Sequence, residues 1–418
     1  VAEYRELVSA FWRIGIHSFG GPAAQIAVMH RELVEDRGWL GEAQFLSSLS
    51  FCMLLPGPEA MQLATYCGWR LKGWRGGLIG GGLFVAPGAA VMAVLALAYL
   101  AWGALPLVDS MFLGIQAAVV AIVLQALVRL GQKALGTPAR WIIAGLSFLG
   151  IFVFSLPFPL IVAGAALYGA LAAPYSAAPG GAAPPPPARA RLLPVLAVWG
   201  GLWAAPVLLA RAMGWEFLAA IALFFSKLAV VTFGGAYAVL AYMAQALVAE
   251  HGWITAAQMM DGLGLAETTP GPLILVTQFA AMVAGGNAGG WGLALAAGAM
   301  ALWVTFVPCF LWIFAGAPYV ERIAAQPRLS GALRAVTAAV CGVILNLSVW
   351  FALHVFFAEQ APIAFGPVTL MLPEPGSIRL LAVALAFFAG FLMLRAKQAI
   401  GPVLAISAAA AAIPDLLT

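Results

Sequence analysis

The sequence predicts an all-α polytopic membrane protein built from two homologous repeats of inverted topology, with discontinuous or re-entrant helices and about 10–13 spans. The first observation behind this is composition. Hydrophobic residues make up 64% of the 418-residue chain and charged residues 9%, and the mean hydropathy is +1.00. That balance leaves a water-soluble fold without enough polar surface. The second is an internal repeat: residues 19–58 and 233–272 align without a gap at a constant offset of 214, with sixteen of forty positions identical. The third is what the copies share. Each opens on Phe-Gly-Gly (Phe19, Gly20, Gly21; Phe233, Gly234, Gly235), passes a Gly-Trp and closes on Pro-Gly-Pro (Pro56, Gly57, Pro58; Pro270, Gly271, Pro272). Helix breakers in apolar surroundings are where a membrane protein exposes backbone to a ligand.

The apolar segments of the first half are 7–29, 44–66, 77–102, 108–128, 141–156 and 157–173, which together make an N-terminal repeat, 1–173. Residues 174–191, with Gly180-Gly181 and Pro184 to Pro187, are too polar and proline-rich to cross a bilayer and read as an exposed cytoplasmic tether. An extra apolar segment follows at 192–210. The C-terminal repeat, 211–418, holds 217–243, 259–284, 290–315, 332–357, 379–394 and 399–417. The first residues, with Glu3, Arg5 and Glu6, lack the basic start of a signal peptide, so insertion through the first helix is expected.

Parity decides the expected topology. Six crossings return the chain to its starting side, and the extra segment makes the second copy enter from the opposite face. With thirteen crossings, fourteen Lys and Arg lie on the N-terminal side and four opposite; deleting segment 192–210 gives eleven against seven. The positive-inside rule then puts the N-terminus and the central linker on the cytoplasmic side of the membrane. If the first two segments of a repeat are re-entrant pairs of half-helices, Arg31 and Arg37 join the cytoplasmic side, giving sixteen against two. The charge bias slightly favours the re-entrant arrangement.

The candidate binding residues follow from the breaks. Gly20-Gly21-Pro22 interrupts the first segment, and Pro22 suits the first turn of a new helix, where its missing N–H goes unneeded. The free N–H groups that follow and the positive end of the helix dipole attract anions. Pro56-Gly57-Pro58 and Pro270-Gly271-Pro272 make the same device, and Gly234-Gly235 a version with Ala236 in place of the proline. Arg13 and Lys227 stand at equivalent positions, six residues before the shared Phe, and either neutralise a bound anion or snorkel to the interface. Gln62, Thr65, Thr268, Thr269 and Gln278 offer neutral hydrogen bonds near the breaks. Glu59 and Glu267 are the acids placed to couple transport to protons, with helix-dipole stabilisation the plainer role for Glu59. His17 and His30 flank the first break but face Val231 and Ala244 in the second copy, so no role is shared between copies. The loop with Arg70, Lys72 and Arg75 either anchors topology or funnels anions. Four cysteines without CxxC spacing or clustered histidines read as buried hydrophobes, and no metal or cofactor is expected.

Phe19-Gly20-Gly21-Pro22, Gln25-Ile26-Ala27, Met29 to Val34, Phe51 to Glu59, Gln62 to Tyr66 and Gly68 to Leu71 form a set of long, unusual motifs. With Thr232 to Tyr237 and Glu267 to Pro272 in the second half, the chain resembles the chromate ion transporter family in its long, two-domain form. The resemblance implies export of chromate from the cytoplasm and resistance to it, with sulfate, a similar tetrahedral dianion, as competitor. Uptake of sulfate or a related oxyanion is the alternative within transport. An enzyme such as a chromate reductase would need a dinucleotide, haem or metal motif that the sequence lacks. The expected partners are chromate, sulfate and the lipid bilayer, with a homodimer as the assembly considered and no nucleic acid.

Overall fold

The computed structural model describes residues 3–173, 192–233, 236–319, 326–365 and 368–417. The linker 174–191 and the pair Gly234-Gly235 fall outside these. The described chain is helical apart from one antiparallel hairpin, β1 (Gln360–Phe365) and β2 (Val368–Pro373), which the all-α expectation did not include. It falls between two apolar segments, where strand residues such as Ile363, Val368 and Thr369 stand close to Pro and Gly.

Every segment that carries a shared break is two helices. The first divides into α1 (Tyr4–His17) and α2 (Gly21–His30), the latter running on through a π turn, Arg31–Asp36. The second divides into α3 (Glu42–Cys52) and the start of α4 (Glu59–Trp102). The second copy repeats this with α9 (Glu216–Val231), α10 (Ala236–Met243) and its π turn Ala244–Glu250, α11 (Ala256–Thr268) and α12 (Val276–Gly316). At 1.5 Å per residue, the 14 residues of α1 reach about 21 Å, short of a roughly 30 Å hydrocarbon core. The duplication extends to single bonds: Trp39 N–H donates to the Leu33 carbonyl at 2.9 Å, and Trp253 N–H to the Leu247 carbonyl at 2.9 Å.

Helix α4 folds back on itself at Lys72-Gly73, and α12 does so at Gly289-Gly290, giving two helical hairpins. The arms of α4 touch backbone to backbone. A Cβ on Gly76 or Gly80 would overlap the carbonyl of Gly68 or Ala64, so only glycine permits this approach. The remaining helices are α5 (Pro106–Ala134), α6 (Pro138–Phe152), α7 (Phe158–Ala172), α8 (Leu192–Ala212), α13 (Pro327–Phe356), α14 (Leu380–Leu394) and α15 (Ile400–Leu417). Among the described residues, five helical stretches are long and apolar enough to cross a membrane, and five shorter apolar helices accompany them. Large apolar side chains such as Leu171, Leu193 and Phe387 stand more than 70% exposed, as lipid-facing residues do.

The chain packs as two compact units, and neither is a sequence repeat. The first takes 1–95, 172–236 and 269–330; the second takes 96–171, 237–268 and 331–418. In the first, α12 packs on α8 and α9, and α1 on α2. In the second, α5 is the centre, packed by α11, α14 and α15. The hairpin α2–α3 thus belongs to the first unit, while its counterpart α10–α11 belongs almost wholly to the second.

Gly80→Val places a side chain against the Ala64 carbonyl and is expected to cost about 1–3 kcal/mol as overpacking. Gly82→Ala, with open space around its Cβ, is the control. Thermal unfolding in detergent should show a lower Tm for the first and not for the second.

Candidate functional site

Where α1 ends, a side chain bonds back to the last turn of the helix. Ser18 Oγ donates back to the Ile14 carbonyl at 2.6 Å, and at the equivalent end of α9 Thr232 Oγ1 donates to the Leu228 carbonyl at 2.5 Å. The main-chain carbonyls of these same two residues look elsewhere. Gly57 N–H donates to the Thr232 carbonyl at 2.9 Å, and Gly271 N–H donates to the Ser18 carbonyl at 2.9 Å. Residues 18 and 232 are equivalent at the offset of 214, as are 57 and 271. The first break of each copy is therefore completed by the second break of the other. All four residues lie in the first unit.

Gly57 (φ 120°) and Gly271 (φ 84°) turn the chain in the left-handed region, which disfavours any side chain. A Cβ on Gly57 would also press on Gln62 Nε2 and Cys309 Sγ. Three buried glutamines brace the surrounding backbone. Gln25 Nε2 donates to the Gly271 carbonyl at 2.7 Å, Gln62 Nε2 to the Pro56 carbonyl at 2.7 Å, and Gln278 Nε2 to the Ala89 carbonyl at 3.0 Å. A carbonyl only accepts, so each amide is fixed with its nitrogen toward the backbone, and each Oε1 has no partner among the described residues.

Pro22, Gln25, Pro58, Glu59, Ala60, Pro272, Leu273 and Ile274 enclose a cavity of about 20 Å³, room for roughly one water. Three of the four breaks thus converge on one point, where α2 and α4 begin and the turn Leu273–Leu275 leads into α12. Gly234 and Gly235 lie outside the described residues. Pro270 sits against Gly88, behind Gly271. Helix N-termini bring positive potential to the cavity, while Glu59 and Gln25 Oε1 bring acceptors. No Arg or Lys lines it.

The predicted cations lie elsewhere. Arg13 is exposed and reaches Glu32 at 3.7 Å, whose other carboxylate oxygen takes Arg37 Nε at 2.8 Å. Lys227 is exposed on α9. Glu267 is 3% exposed and accepts from the Tyr237 hydroxyl at 2.6 Å; it belongs to the second unit and Glu59 to the first. Thr268 is exposed and spends its hydroxyl on the Leu265 carbonyl, while Thr269 and Thr65 are buried, the latter donating to the Met61 carbonyl. His17 donates to the Arg13 carbonyl. His30, just past the apolar segment 7–29, joins α2 to α3 through Glu42 at 2.6 Å and pairs with Glu35 of the π turn at 3.1 Å. The Glu42 hydrogen bond raises its pKa above the ordinary value, with smaller support from Glu35. The shared breaks single out neither Gln25 nor Asp261 of α11, which are 2% and 3% exposed.

The profile of the chromate transporter family matches residues 5–170 and 219–413. A chromate transport protein of Pseudomonas aeruginosa is 33% identical over 82% of this chain and 79% of its own length. Another from Cupriavidus metallidurans is 30% identical over 81% and 80%. The uncharacterized transporter YwrA of Bacillus subtilis, 31% identical, aligns over 97% of its own length with 40% of this chain. No solved structure matches.

Gln25→Leu leaves the Gly271 carbonyl unpaired and is expected to cost about 1–3 kcal/mol, read as a lower Tm in detergent; an unchanged Tm would mean that this carbonyl has another donor. The raised pKa of His30 means that folding favours the protonated ring. Its stabilisation is complete below the free-imidazole value of about 6.5 and is lost as pH rises through the higher folded value. His30→Gln should flatten that stretch of the stability–pH curve.

Proposed function

This chain belongs to the chromate transporter family, and from that premise we propose that it exports chromate from the cytoplasm by alternating access between two inverted repeats. It is a multi-pass membrane transporter and not an enzyme. The observation that carries the proposal is the reciprocal pair of hydrogen bonds, Gly57 to Thr232 and Gly271 to Ser18. An exchange between equivalent positions is what a local two-fold axis produces, and the odd segment α8 between the copies favours an axis that inverts them.

In this reading the oxyanion binds where the breaks Gly20-Gly21-Pro22, Pro56-Gly57-Pro58 and Pro270-Gly271-Pro272 meet, with Gly234-Gly235 proposed as the fourth, held by the free main-chain N–H groups of the helix turns that follow them, with Gln62 bracing Pro56 and Thr269 in support. The cavity of about 20 Å³ is the closed form, and chromate enters when the breaks part. Glu59 occupies the anion's place at the helix ends and yields it on protonation, which removes the repulsion between two anions. Arg13, beside Glu32, and Lys227 raise the local anion concentration from outside the cavity. Thr268 and Glu267 belong to the second unit, where Glu267 serves as a coupling acid.

Direction follows from charge. A dianion leaving a cell that is negative inside gains about 4.6 kcal/mol per 100 mV, or roughly three powers of ten in concentration. Export needs no coupled cation, whereas uptake would need at least two merely to balance the charge.

Reconstituted into proteoliposomes, the protein should move chromate toward the positive side, faster as the potential is raised, with sulfate competing. Flux that ignores potential would sink the electrogenic reading. Gly57→Val and Gly271→Val should each abolish chromate resistance in cells while the protein still inserts; resistance kept by both would remove the breaks from the site.

A further inference from the structure

Helix α11 carries an acid that the transport reading leaves unused. Asp261 is 3% exposed, and both its oxygens are engaged: Oδ2 accepts from the Tyr99 hydroxyl at 2.8 Å and Oδ1 from Gln116 Nε2 at 2.8 Å. All three residues belong to the second unit. Among the described residues, no Arg or Lys pairs with it. Glu32, in contrast, sits between Arg13 and Arg37, so protonating it would strand two cations.

Neither partner of Asp261 fixes its charge. A tyrosine hydroxyl donates to a carboxylate and also accepts from a carboxylic acid, and a glutamine amide offers N–H or, turned over, C=O. The ionised acid takes two donated bonds, as observed. The neutral acid would donate to Gln116 Oε1 while Tyr99 still donates to its other oxygen. Both carboxyl oxygens stay bonded in both states, so gaining or losing a proton strands neither of them. A group that exchanges protons inside an apolar fold has this requirement.

The surroundings keep the triad electrically quiet. Asp109 of α5 is the other acid whose charge reaches Asp261. Residues 400–414 of α15 contain no titratable group, and Glu250 after α10 is exposed. Six residues further along α11, about 9 Å, Glu267 takes the Tyr237 hydroxyl on one oxygen, and its buried Oε2 has no partner among the described residues. That open acceptor marks a second place on the same helix where a proton-bearing group fits. Tyr99, which donates to Asp261, is itself only half-buried.

We propose that Asp261, with Tyr99 and Gln116, is a proton-binding site of the second unit, and that it is loaded and unloaded during the transport cycle. Loading forms an O–H bond on the carboxylate with a proton taken from water, and unloading returns that proton to water. The second half of the proposal rests on the transport reading; the first does not.

The full-length protein in detergent, titrated and followed by infrared difference spectroscopy, tests the site. The wild type should show the carbonyl band of a buried carboxylic acid that vanishes at alkaline pH and is missing from Asp261→Asn. Asn keeps the size and the acceptor for Tyr99, so the fold is retained. Tyr99→Phe should shift the titration midpoint of the band. The same band in Asp261→Asn, or no band in the wild type, overturns the site. In proteoliposomes held at one potential, a pH gradient should change wild-type chromate flux several-fold and leave Asp261→Asn flux unchanged. An equal response in both overturns the link to transport. If the wild type moves no chromate, the transport reading fails and the link with it, while the infrared band still decides the proton site.

Discussion

A backbone that leaves its helix inside hydrocarbon must find hydrogen bonds without water, and the first unit depends on how that need is met. The carbonyls of Ser18 and Thr232 and the N–H groups of Gly57 and Gly271 are four groups freed by four interruptions. Each is paired with its opposite in the other copy. Gln25, Gln62 and Gln278 then brace the backbone beside these joints, with one amide nitrogen on one carbonyl each. Positive φ at Gly57 and Gly271 lets the chain turn there. The same interruptions that threaten stability supply the polar groups an anion needs.

Much of this was legible in the sequence. The constant offset of 214 showed the repeat, and Gly-Gly and Pro-Gly-Pro marked the places where helices stop. Gly289-Gly290 separated the two arms of α12 despite an apolar run on both sides. What the offset does not show is which break meets which, because the bonds that matter join unlike positions of different copies. Arg13 looked like a cation in search of an anion, yet it lies within reach of Glu32, whose proximity depends on the fold of α2. Asp261 escaped for a related reason. A search for features common to both copies passes over it, since its counterpart is Ser47. Its setting in an apolar segment was nevertheless a readable signal.

The two copies have diverged in where they pack as well as in sequence. α2 and α3 stay with the breaks of the first unit, whereas α11 joins α5 in the second and brings two buried acids with tyrosine partners. The joints are symmetric in backbone geometry, whereas the acids are not: Asp261 and Glu267 of the second copy face Ser47 and Met53, and Glu59 of the first faces Leu273. Symmetry at the joints and asymmetry in the acids are compatible because the joints are made by main chain, which side-chain substitution leaves intact.

The crossed bonds also bear on what counts as a folding unit. A single copy holds one freed carbonyl and one freed N–H that point at groups it does not itself contain. Separated from its counterpart, it would carry two unsatisfied groups in an apolar medium. Joining both copies in one polypeptide keeps the missing partners at high effective concentration throughout assembly. The covalent join therefore acts as a built-in chaperone for the breaks: whichever copy inserts first is incomplete until the second arrives.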